Sequence, residues 1–393
     1  MSPARKISQI FSIGIEVTVL ARNIYADNAA TTKLEAEAFE AMKPWLLEEY
    51  GNASQPYSFS RKPKEALKKA RETIAECINA LPEEIHFTSG GTESDNWAIK
   101  GIAFSNYNHE ATITSAFEHH AVLRSCKAIE RLGCPVAYMW PDKNGIITPK
   151  ILESYITDET LLVSIMFANN EIGTIQPIQK LCSIAHAHNA IFHTDAVQAV
   201  GHVAVDVKKL GVDMLSASAH KFNGPKGIGF LYIRKGVGLR PYADGGLQEF
   251  SMRAGTENIA SIVGMAVALK RNIDTLTENQ KQIVRLEQLL LRHMDENSIP
   301  YVRNGNGLML PGVLSLSFDG KDGEAILHRM DLMGISISTG SACDSRNTGI
   351  SHVLQALRLP KSLAKGTIRI SLGKDNTEED IDVIVSALRK IMI

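Results

Sequence analysis

The 393-residue sequence lacks any apolar run of roughly 18 residues or more, so we expect no transmembrane helix. It also lacks an excess of one charge, since 42 Lys and Arg residues offset 43 Asp and Glu residues. Neither a nucleic-acid-binding surface nor an acidic disordered chain is therefore indicated. No Cys-x-x-Cys pair and no Cys/His cluster has the spacing of zinc ligands, and we predict no metal site.

The five cysteines do not form a disulfide framework, because their number is odd and their spacing irregular. Free thiols favour a reducing compartment, and we expect a cytoplasmic protein. Cys77 and Cys182 lie in helical apolar patterns and are predicted to be small core residues. Cys343 differs, because Gly and Ser residues precede it and predict an accessible loop.

Helical and strand-like segments alternate from about residue 35 onward. Apolar residues recur at helical spacing in 34–50, 62–79, 92–104, 119–132 and 179–189. Short apolar stretches typical of buried strands are 84–88, 111–115, 136–139, 161–167, 190–193, 214–218 and 228–233. This alternation predicts an α/β fold with a mostly parallel sheet and a ligand at the carboxyl ends of its strands.

The pattern changes after segment 261–297, which is interpreted as one long or broken helix. Strand-like stretches at 313–318, 335–338 and 367–371, followed by an amphipathic helix over 378–391, are typical of a smaller α+β unit. We predict a large domain over 35–272 and a small C-terminal domain over 273–393 that carries Cys343. Residues 1–34 are predicted to be an N-terminal segment of the small domain.

Two charged residues follow strand-like stretches in the large domain. Lys221 comes just after stretch 214–218, a context that suits a lysine forming a Schiff base. A surface lysine, as Lys226 could equally be, is the alternative. Asp195 follows stretch 190–193, where an acid could pair with a protonated pyridine nitrogen. A helix cap is the commoner role of such an Asp.

A possible phosphate site completes the set. In Thr88–Ser94 a strand runs through Gly90 and Gly91 into a helix, and free N–H groups at a helix start suit a phosphate. The stretch is neither a P-loop nor G-x-G-x-x-G. A phosphate cradle, a ring acid and a lysine at successive strand ends are the components of a pyridoxal-phosphate site.

The chain resembles the NifS/IscS-type cysteine desulfurases, in the class V aminotransferase branch of fold-type I pyridoxal-phosphate enzymes. The resemblance extends from Tyr25 to Ile393, which implies a large mostly parallel α/β domain and a smaller α+β domain. The matching motifs, all in the family's order, are Asp27–Thr32, Thr88–Ser94, Glu118–Leu123, Asn169–Gly173, Phe192–Gln198, Ser216–Lys221, Gly245–Glu249, Arg253–Asn258 and Gly340–Cys343.

The resemblance implies that pyridoxal 5′-phosphate is the cofactor and assigns residues to it. Lys221 would form the Schiff base, Asp195 would pair with the ring nitrogen, and His119 would stack on the ring and serve as an acid or base. The implied cofactor ligands are Gly91, Thr92, His119, Asn170, Asp195, Gln198, Ser218, His220, Lys221 and Thr256, the last reaching in from the partner of a homodimer.

The substrate side is implied in the same way. Arg369, aided by Asn170, would bind the substrate carboxylate, for which a bidentate guanidinium is suited. From the residues alone, Asn170 is interpreted as a turn residue and Arg369 as a strand residue that faces water.

Two stretches depart from the family pattern. The family usually has a His in the segment that here is Gly51–Tyr57. Beside the reactive Cys343 stands Asp344, which disfavours a thiolate unless a cation such as Arg346 offsets it. The sequence also stops at Ile393, short of the tail that docks an iron–sulfur scaffold in the IscS type, so the acceptor stays open.

The implied activity is a cysteine desulfurase that converts L-cysteine to L-alanine. The sulfur would pass as a persulfide on Cys343 to an acceptor protein, for iron–sulfur cluster assembly, tRNA thiolation or a similar purpose. A selenocysteine lyase or aminotransferase of the same fold is one alternative, and a non-catalytic sulfur-transfer accessory protein is another. We expect a homodimer that binds neither nucleic acid directly nor a membrane.

Overall fold

The computed structural model describes residues 23–105, 111–339 and 349–392. The strands are β1 (Ile24–Tyr25), β2 (Ile85–Thr88), β3 (Ala111–Ser115), β4 (Val136–Met139), β5 (Thr160–Ser164), β6 (Ile191–Asp195), β7 (Met214–Ser218), β8 (Gly229–Ile233), β9 (Val302–Arg303), β10 (Val313–Ser317), β11 (Ile335–Ser336) and β12 (Thr367–Ser371).

The helices are α1 (Ala36–Leu47), α2 (Arg61–Cys77), α3 (Gly91–Ser105), α4 (His120–Glu130), α5 (Pro149–Glu153), α6 (Ile178–Ala187), α7 (Val207–Leu210), α8 (Ile259–Asp274), α9 (Leu276–Glu296), α10 (Gly323–Leu332), α11 (His352–Ala356), α12 (Lys361–Lys365) and α13 (Glu378–Met392). No helix in the described part of the chain is both long and apolar enough to cross a membrane.

A seven-stranded sheet forms the centre of the molecule, in the order β2-β8-β7-β6-β5-β3-β4. Only β8 runs against its neighbours, so the predicted mostly parallel α/β sheet is confirmed. Strands β7 and β8 are buried along their whole length. Helices cover both faces of a parallel sheet, which explains why these strands appear in the sequence as continuous apolar runs rather than alternating ones.

A second core lies around the antiparallel sheet β12-β10-β9 and the two-stranded parallel sheet of β1 and β11. It combines Ile24 and Ala26 with buried apolar side chains between Ile283 and Ile391. Helices α9 and α13 each present one apolar stripe to this core, as an amphipathic helix at a domain surface does. Residues from both ends of the chain are therefore buried together.

The predicted segment 261–297 is two helices rather than one. α8 ends at Asp274 and α9 begins at Leu276, with Thr275 between them at φ −109° and ψ 14°. The Asn272 side chain donates a hydrogen bond to the Phe222 carbonyl at 2.9 Å, which ties the end of α8 to the loop that carries Lys221. The sequence allowed a broken helix, and the structure places the break.

Candidate active site

Parallel strands bring the predicted site residues to one edge of the central sheet. Asp195, the last residue of β6, is paired in register with Ser216 of β7. Ser218 ends β7, and Lys221 closes the short 3₁₀ turn that follows. The start of α3 at Gly91 comes shortly after the end of β2. Because parallel strands end on the same side, these residues surround one cavity of about 610 Å³.

Ten of the twelve predicted site residues line this cavity: Gly91, Thr92, His119, Asn170, Asp195, Gln198, Ser218, His220, Lys221 and Arg369. Thr256 is not among the lining residues and is exposed. Cys343 lies outside the described residues.

Lys221 is held at the cavity wall by main-chain carbonyls. Its Nζ donates hydrogen bonds to the carbonyl oxygens of Ala29 at 2.5 Å and Ala30 at 2.8 Å. Lys226 lines the cavity as well, so position alone does not separate the two lysines. The charge of Lys221 lowers the pKa of Asp195, which places this lysine within electrostatic reach of the buried acid.

The start of α3 forms a cradle without side chains. A Cβ at Gly91 would lie 2.5 Å from Cγ2 of Val197, so a side chain there would clash. Gly90 has φ +144°, and a Cβ there would lie 3.3 Å from the Ser218 hydroxyl oxygen. The first N–H groups of a helix have no acceptor within the helix. A phosphate fits this cradle, since those N–H groups and the helix dipole both attract an anion.

His220 stands beside the same part of the cavity. Its Nδ1 lies 3.2 Å from the Thr31 hydroxyl oxygen. Burial, with the nearby charges of Lys221 and Lys226, lowers the pKa of His220 to about 4. The neutral ring can therefore donate a hydrogen bond while the two lysines supply positive charge.

Buried acids and an imidazole also line the cavity. Burial raises the pKa of Asp195, while the charges of His119 and Lys221 and the Val197 N–H, at 3.0 Å, oppose that rise. The ionised form of such a buried acid is stabilised when a cation such as a pyridinium lies beside it. Asp195 does cap a turn, because it accepts the Val197 N–H. The capping role and the proposed pairing with a ring nitrogen are therefore compatible in one side chain.

His119 caps the start of α4. Its Nδ1 accepts a hydrogen bond from the Ala121 N–H at 3.1 Å. Burial lowers the pKa of His119, with Asp195 opposing the effect. The ring is thus neutral at physiological pH, and since Nδ1 is an acceptor, Nε2 carries the proton.

One group of side chains in the described ranges also has distances that suit a metal ion. Single ligand atoms of Asp95, His119 and Asp195 all lie within 4.8 Å of one another. The group lies in the cavity that also contains Lys221 and the Gly91 cradle, a combination that suits an organic cation with a phosphate better than a bare ion.

Another part of the cavity is organised around Arg369, in the middle of β12. Its Nη1 donates to the Asn170 carbonyl at 2.8 Å and its Nη2 to the Asp27 carboxylate at 2.7 Å. Arg369 is only 6% exposed, and its buried Nε has no hydrogen-bond partner. The water-facing interpretation of Arg369 is therefore wrong, and an unpartnered buried donor beside the cavity suits a carboxylate.

Asn170 and Gln198 reach the cavity from loops. Asn170 lies in a turn organised by Asn169, whose side-chain oxygen accepts the Glu171 N–H at 2.9 Å, so the turn reading is also correct. The Gln198 side chain donates to the Ala29 carbonyl at 2.9 Å, the same carbonyl that Lys221 contacts.

Sequence reasoning missed three acids that the structure brings to this site. Asp27 pairs with Arg369, Asp95 lines the cavity beside Asp195, and Glu171 accepts the Ser351 hydroxyl at 2.5 Å. Asp27 and Glu171 lie inside motifs that the resemblance rests on and Asp95 directly follows one, but no role was attached to any of them. Only Glu171 carried a signal, because it directly follows Asn170, a residue with an assigned role.

The cavity thus fits pyridoxal phosphate by three independent features. These are the side-chain-free cradle at Gly91, the buried acid pair without a full set of partners, and the lysine at a strand end. A seven-stranded α/β sheet with these groups at its carboxyl edge defines an enzyme of fold type I.

Comparisons with known proteins agree with this class. Residues 24–384 match the family model "Aminotransferase class-V". The cysteine desulfurase IscS of Dictyoglomus turgidum is 47% identical over 94% of this chain and 95% of its own. A solved NifS-like protein superposes with a TM-score of 0.89 at 37% identity, over 94% of this chain and 99% of its own. The structure of SspA in complex with cysteine superposes with a TM-score of 0.80 at 36% identity, over 90% and 100% of the two chains.

The chain belongs to the class-V aminotransferase family, among its cysteine desulfurases of the NifS/IscS type. This family is dependent on pyridoxal phosphate. The resemblance found in the sequence motifs is confirmed.

Proposed function

We propose that this protein is a pyridoxal-phosphate-dependent cysteine desulfurase. It converts L-cysteine to L-alanine and passes the sulfur, as a persulfide on Cys343, to an acceptor protein. The observation that carries the proposal is the convergence of Lys221, Asp195, the Gly91 cradle and Arg369 on one cavity. An aminotransferase would use the same four features, so the thiol of Cys343 is what makes desulfuration the favoured chemistry.

Different residues around the cavity would bind different parts of the cofactor. Gly91, Thr92, Ser218 and His220 would bind its phosphate, and Lys221 would bind it covalently. Asp195 would pair with its ring nitrogen, His119 would stack on the ring, and Asn170 and Gln198 would lie beside the ring hydroxyl. When bound, the cofactor supplies an electron sink for the substrate's α-carbon.

Arg369 would orient the substrate. Its guanidinium is already fixed by Asp27 and by the Asn170 carbonyl, so little conformational entropy is lost when a carboxylate binds. Its Nε, buried and without a partner, is the donor that an incoming carboxylate can use. This fixed cation would favour amino-acid substrates that keep their α-carboxylate.

Two residues would move protons. Lys221, once released by the substrate amine, would take the α-proton, since its Nζ stands in the cavity wall beside Ala29 and Ala30. His119 would serve as a proton donor, because Nδ1 is engaged by the Ala121 N–H and Nε2 carries the proton of the neutral ring. Both groups line the same cavity as Arg369.

The sulfur step is a displacement on the substrate sulfur. The thiolate of Cys343 would attack that sulfur, forming an S–S bond as the C–S bond breaks. The electron pair of the broken bond stays with carbon, which is protonated to give L-alanine. In sum, the Cys343 thiol and L-cysteine become the Cys343 persulfide and L-alanine, with no external oxidant or reductant.

The remaining features of the proposal concern assembly. We propose a homodimer in which Thr256, exposed here, reaches the phosphate of the partner's site. We also propose a cytoplasmic protein without nucleic-acid or membrane partners. The acceptor is a protein, with an iron–sulfur scaffold as one candidate.

The division into domains is likewise a proposal. We propose a large domain over 35–272 and a small one over 273–393, with segment 1–34 as part of the small domain. The second core supports this division, because it draws on Ile24 and Ala26 and on residues from Ile283 onward.

The test is sulfur transfer itself. After incubation with L-cysteine, mass spectrometry of the wild type should show one added sulfur on the peptide that contains Cys343, with alanine released. Cys343→Ser should still bind cofactor and L-cysteine, with an altered visible spectrum, but release no alanine. Cys126→Ser is the matched control, because that thiol is buried and its pKa is raised to about 12. A persulfide found only on another cysteine, or full alanine release by Cys343→Ser, would defeat the proposal.

A further inference from the structure

Asp95 is a buried acid for which the proposed mechanism has no use. It lies in α3, one turn after Gly91, and it is 0% exposed. Neither of its carboxyl oxygens makes a hydrogen bond of regular geometry, although the Ser216 hydroxyl is near enough to oppose the rise in its pKa. A buried carboxylate without partners costs several kcal/mol, roughly, whereas a protonated carboxyl costs far less.

The charged neighbours of Asp95 are of the wrong sign for a carboxylate. Burial is the largest cause of its raised pKa, and Asp195 and Glu118, which can only be neutral or negative, raise it further when they are ionised. The nearest ring is His193, whose Nε2 lies 3.8 Å from Asp95 Oδ1. Burial lowers the pKa of His193 to about 3, so it is neutral and cannot act as a cation partner.

His193 is in addition engaged on both nitrogens. Nδ1 lies 2.9 Å from the Ser164 hydroxyl oxygen and Nε2 lies 3.0 Å from the Ser216 hydroxyl oxygen. These contacts fix the ring between two strands of the sheet without bringing a charge to Asp95.

Asp195 is in a different position from Asp95, although the two carboxyls are close. The Val197 N–H bonds its carboxylate and the charge of Lys221 lowers its pKa, as would His119 when protonated. Ligand atoms of Asp95 and Asp195 lie within 4.8 Å of each other. Two buried carboxyls this close do not both ionise, so the pair holds one proton.

We propose that Asp95 is a positioning residue that keeps the proton of this pair, so that Asp195 alone carries the negative charge facing the cofactor. The inference rests on the proposed cofactor site. The pair then has a charge of −1, which a pyridinium would balance. With both acids ionised the site would hold an uncompensated anion, and with both protonated it would hold none for the ring nitrogen.

The direct test is infrared spectroscopy of the full-length protein labelled with [4-¹³C]aspartate. The label shifts the infrared carbonyl bands of aspartic acids away from the band of Glu118. That separation is needed because Glu118 is a second buried acid, whose pKa burial raises to about 8. We expect a band of a protonated aspartic acid at pH 7.5 that is lost in Asp95→Asn and kept in Glu118→Gln. A wild-type protein without such a band at that pH would overturn the proposal even if no variant folds.

Cofactor binding gives a second readout. Asn is a neutral isostere of protonated Asp, so Asp95→Asn should hold pyridoxal phosphate within about threefold of the wild type, while Asp195→Asn should lose roughly tenfold or more. The visible spectrum of bound cofactor should titrate with pH in Asp95→Asn much as in the wild type. Equal losses in both variants would show that Asp95 acts as an anion and would reject the inference.

These outcomes separate the inference from the function it rests on. If the wild type binds no pyridoxal phosphate, the proposed function fails, while the infrared band still reports the proton on Asp95. If Co²⁺ binds the cofactor-free protein with a ligand-field spectrum that Asp95→Asn abolishes, Asp95 is a metal ligand and the inference is wrong.

Discussion

The two sides of the active-site cavity are built in opposite ways. The cofactor wall, here Gly91, Asp195, Ser218 and Lys221, comes from successive strand ends of one sheet. The substrate wall, here Asp27, Asn170 and Arg369, joins a loop of that sheet to residues from both ends of the chain. Asp27 and Arg369 are 342 positions apart in sequence, yet their side chains are 2.7 Å apart.

The walls also differ in how far the protein satisfies their polar groups. In the substrate wall both Nη atoms of Arg369 have protein acceptors. Near the cofactor wall, both carboxyl oxygens of buried Asp95 lack a hydrogen bond of regular geometry, and the start of α3 at Gly91 has no room for a side chain. The substrate wall is thus largely formed in advance and leaves the Nε of Arg369 for its ligand, whereas the cofactor wall depends more heavily on its ligand.

The largest effect should come from Lys221, on which the whole cofactor wall depends. Lys221→Ala removes the amine that binds the cofactor and takes the α-proton, so alanine release should fall below detection. Borohydride reduction of the wild type, followed by peptide mapping, should place the adduct on Lys221. In Lys226→Ala the adduct should remain there, and a label on Lys226 in the wild type would transfer the role to that residue.

Asp195→Ala should have the next largest effect. It removes the anion that keeps a ring nitrogen protonated, and turnover should fall about 10²-fold or more, as when other charge-stabilising groups are deleted. Steady-state kinetics at saturating cofactor measures this. Asp206→Ala is a suitable control, because that acid caps α7 on the surface. Turnover of Asp195→Ala near that of the control would place the ring partner elsewhere.

Arg369 tests whether the substrate wall acts on the carboxylate. Arg369→Lys keeps the charge but loses the two-pronged geometry, so KM for L-cysteine should rise roughly tenfold to hundredfold, with a smaller change in kcat. Cysteamine, which has no carboxylate, is the matched substrate. The preference of the wild type for L-cysteine over cysteamine should nearly vanish in Arg369→Ala, and an unchanged preference would remove Arg369 from the substrate wall.

The smallest effect concerns the anchor between the substrate wall and α11. Burial raises the pKa of Glu171 to about 7, although the Ser351 hydroxyl and Arg369 both oppose the rise. The folded protein therefore binds this proton more tightly than the unfolded chain does. The associated stability is present below the ordinary pKa of 4.5 and is lost as the pH rises to about 7.

Glu171→Gln lacks this titration but keeps an acceptor for Ser351. As the pH rises from 4.5 to 7, the free energy of unfolding of the variant should therefore increase relative to that of the wild type, by up to about 3 kcal/mol. The Tm of the variant should rise relative to that of the wild type over the same range. Thermal unfolding at a series of pH values measures it. A difference independent of pH would mean that Glu171 titrates normally in the folded protein.

The cofactor wall could be predicted from the sequence because its residues are local to strand ends. Lys221, Asp195 and Gly91 each follow a short apolar run, and parallel strands necessarily bring such positions together. Arg369 could be assigned only by family resemblance. Its strand alternates with apolar residues like a surface strand, and only the tertiary contacts with Asp27 and Asn170 bury it.

Asp95 escaped prediction for another reason. In the sequence it is one of several polar residues at the start of a helix, a place where acids are common because they interact well with the helix dipole. Nothing local indicates that this turn of α3 is covered completely. The role of Thr256 and the domain limits at 34 and 272 remain predictions.

The pairing of Asp27 with Arg369 has a consequence for the nascent chain. The central sheet is complete once β8 has been made, at Ile233, whereas Arg369 follows 136 positions later (369 − 233). At about 5–20 residues per second, ribosomes need roughly 10 s for that interval. A chain emerging from the ribosome therefore acquires the surface proposed for the cofactor well before it acquires the arginine proposed to receive substrate, and we expect its first ligand during biosynthesis to be the cofactor.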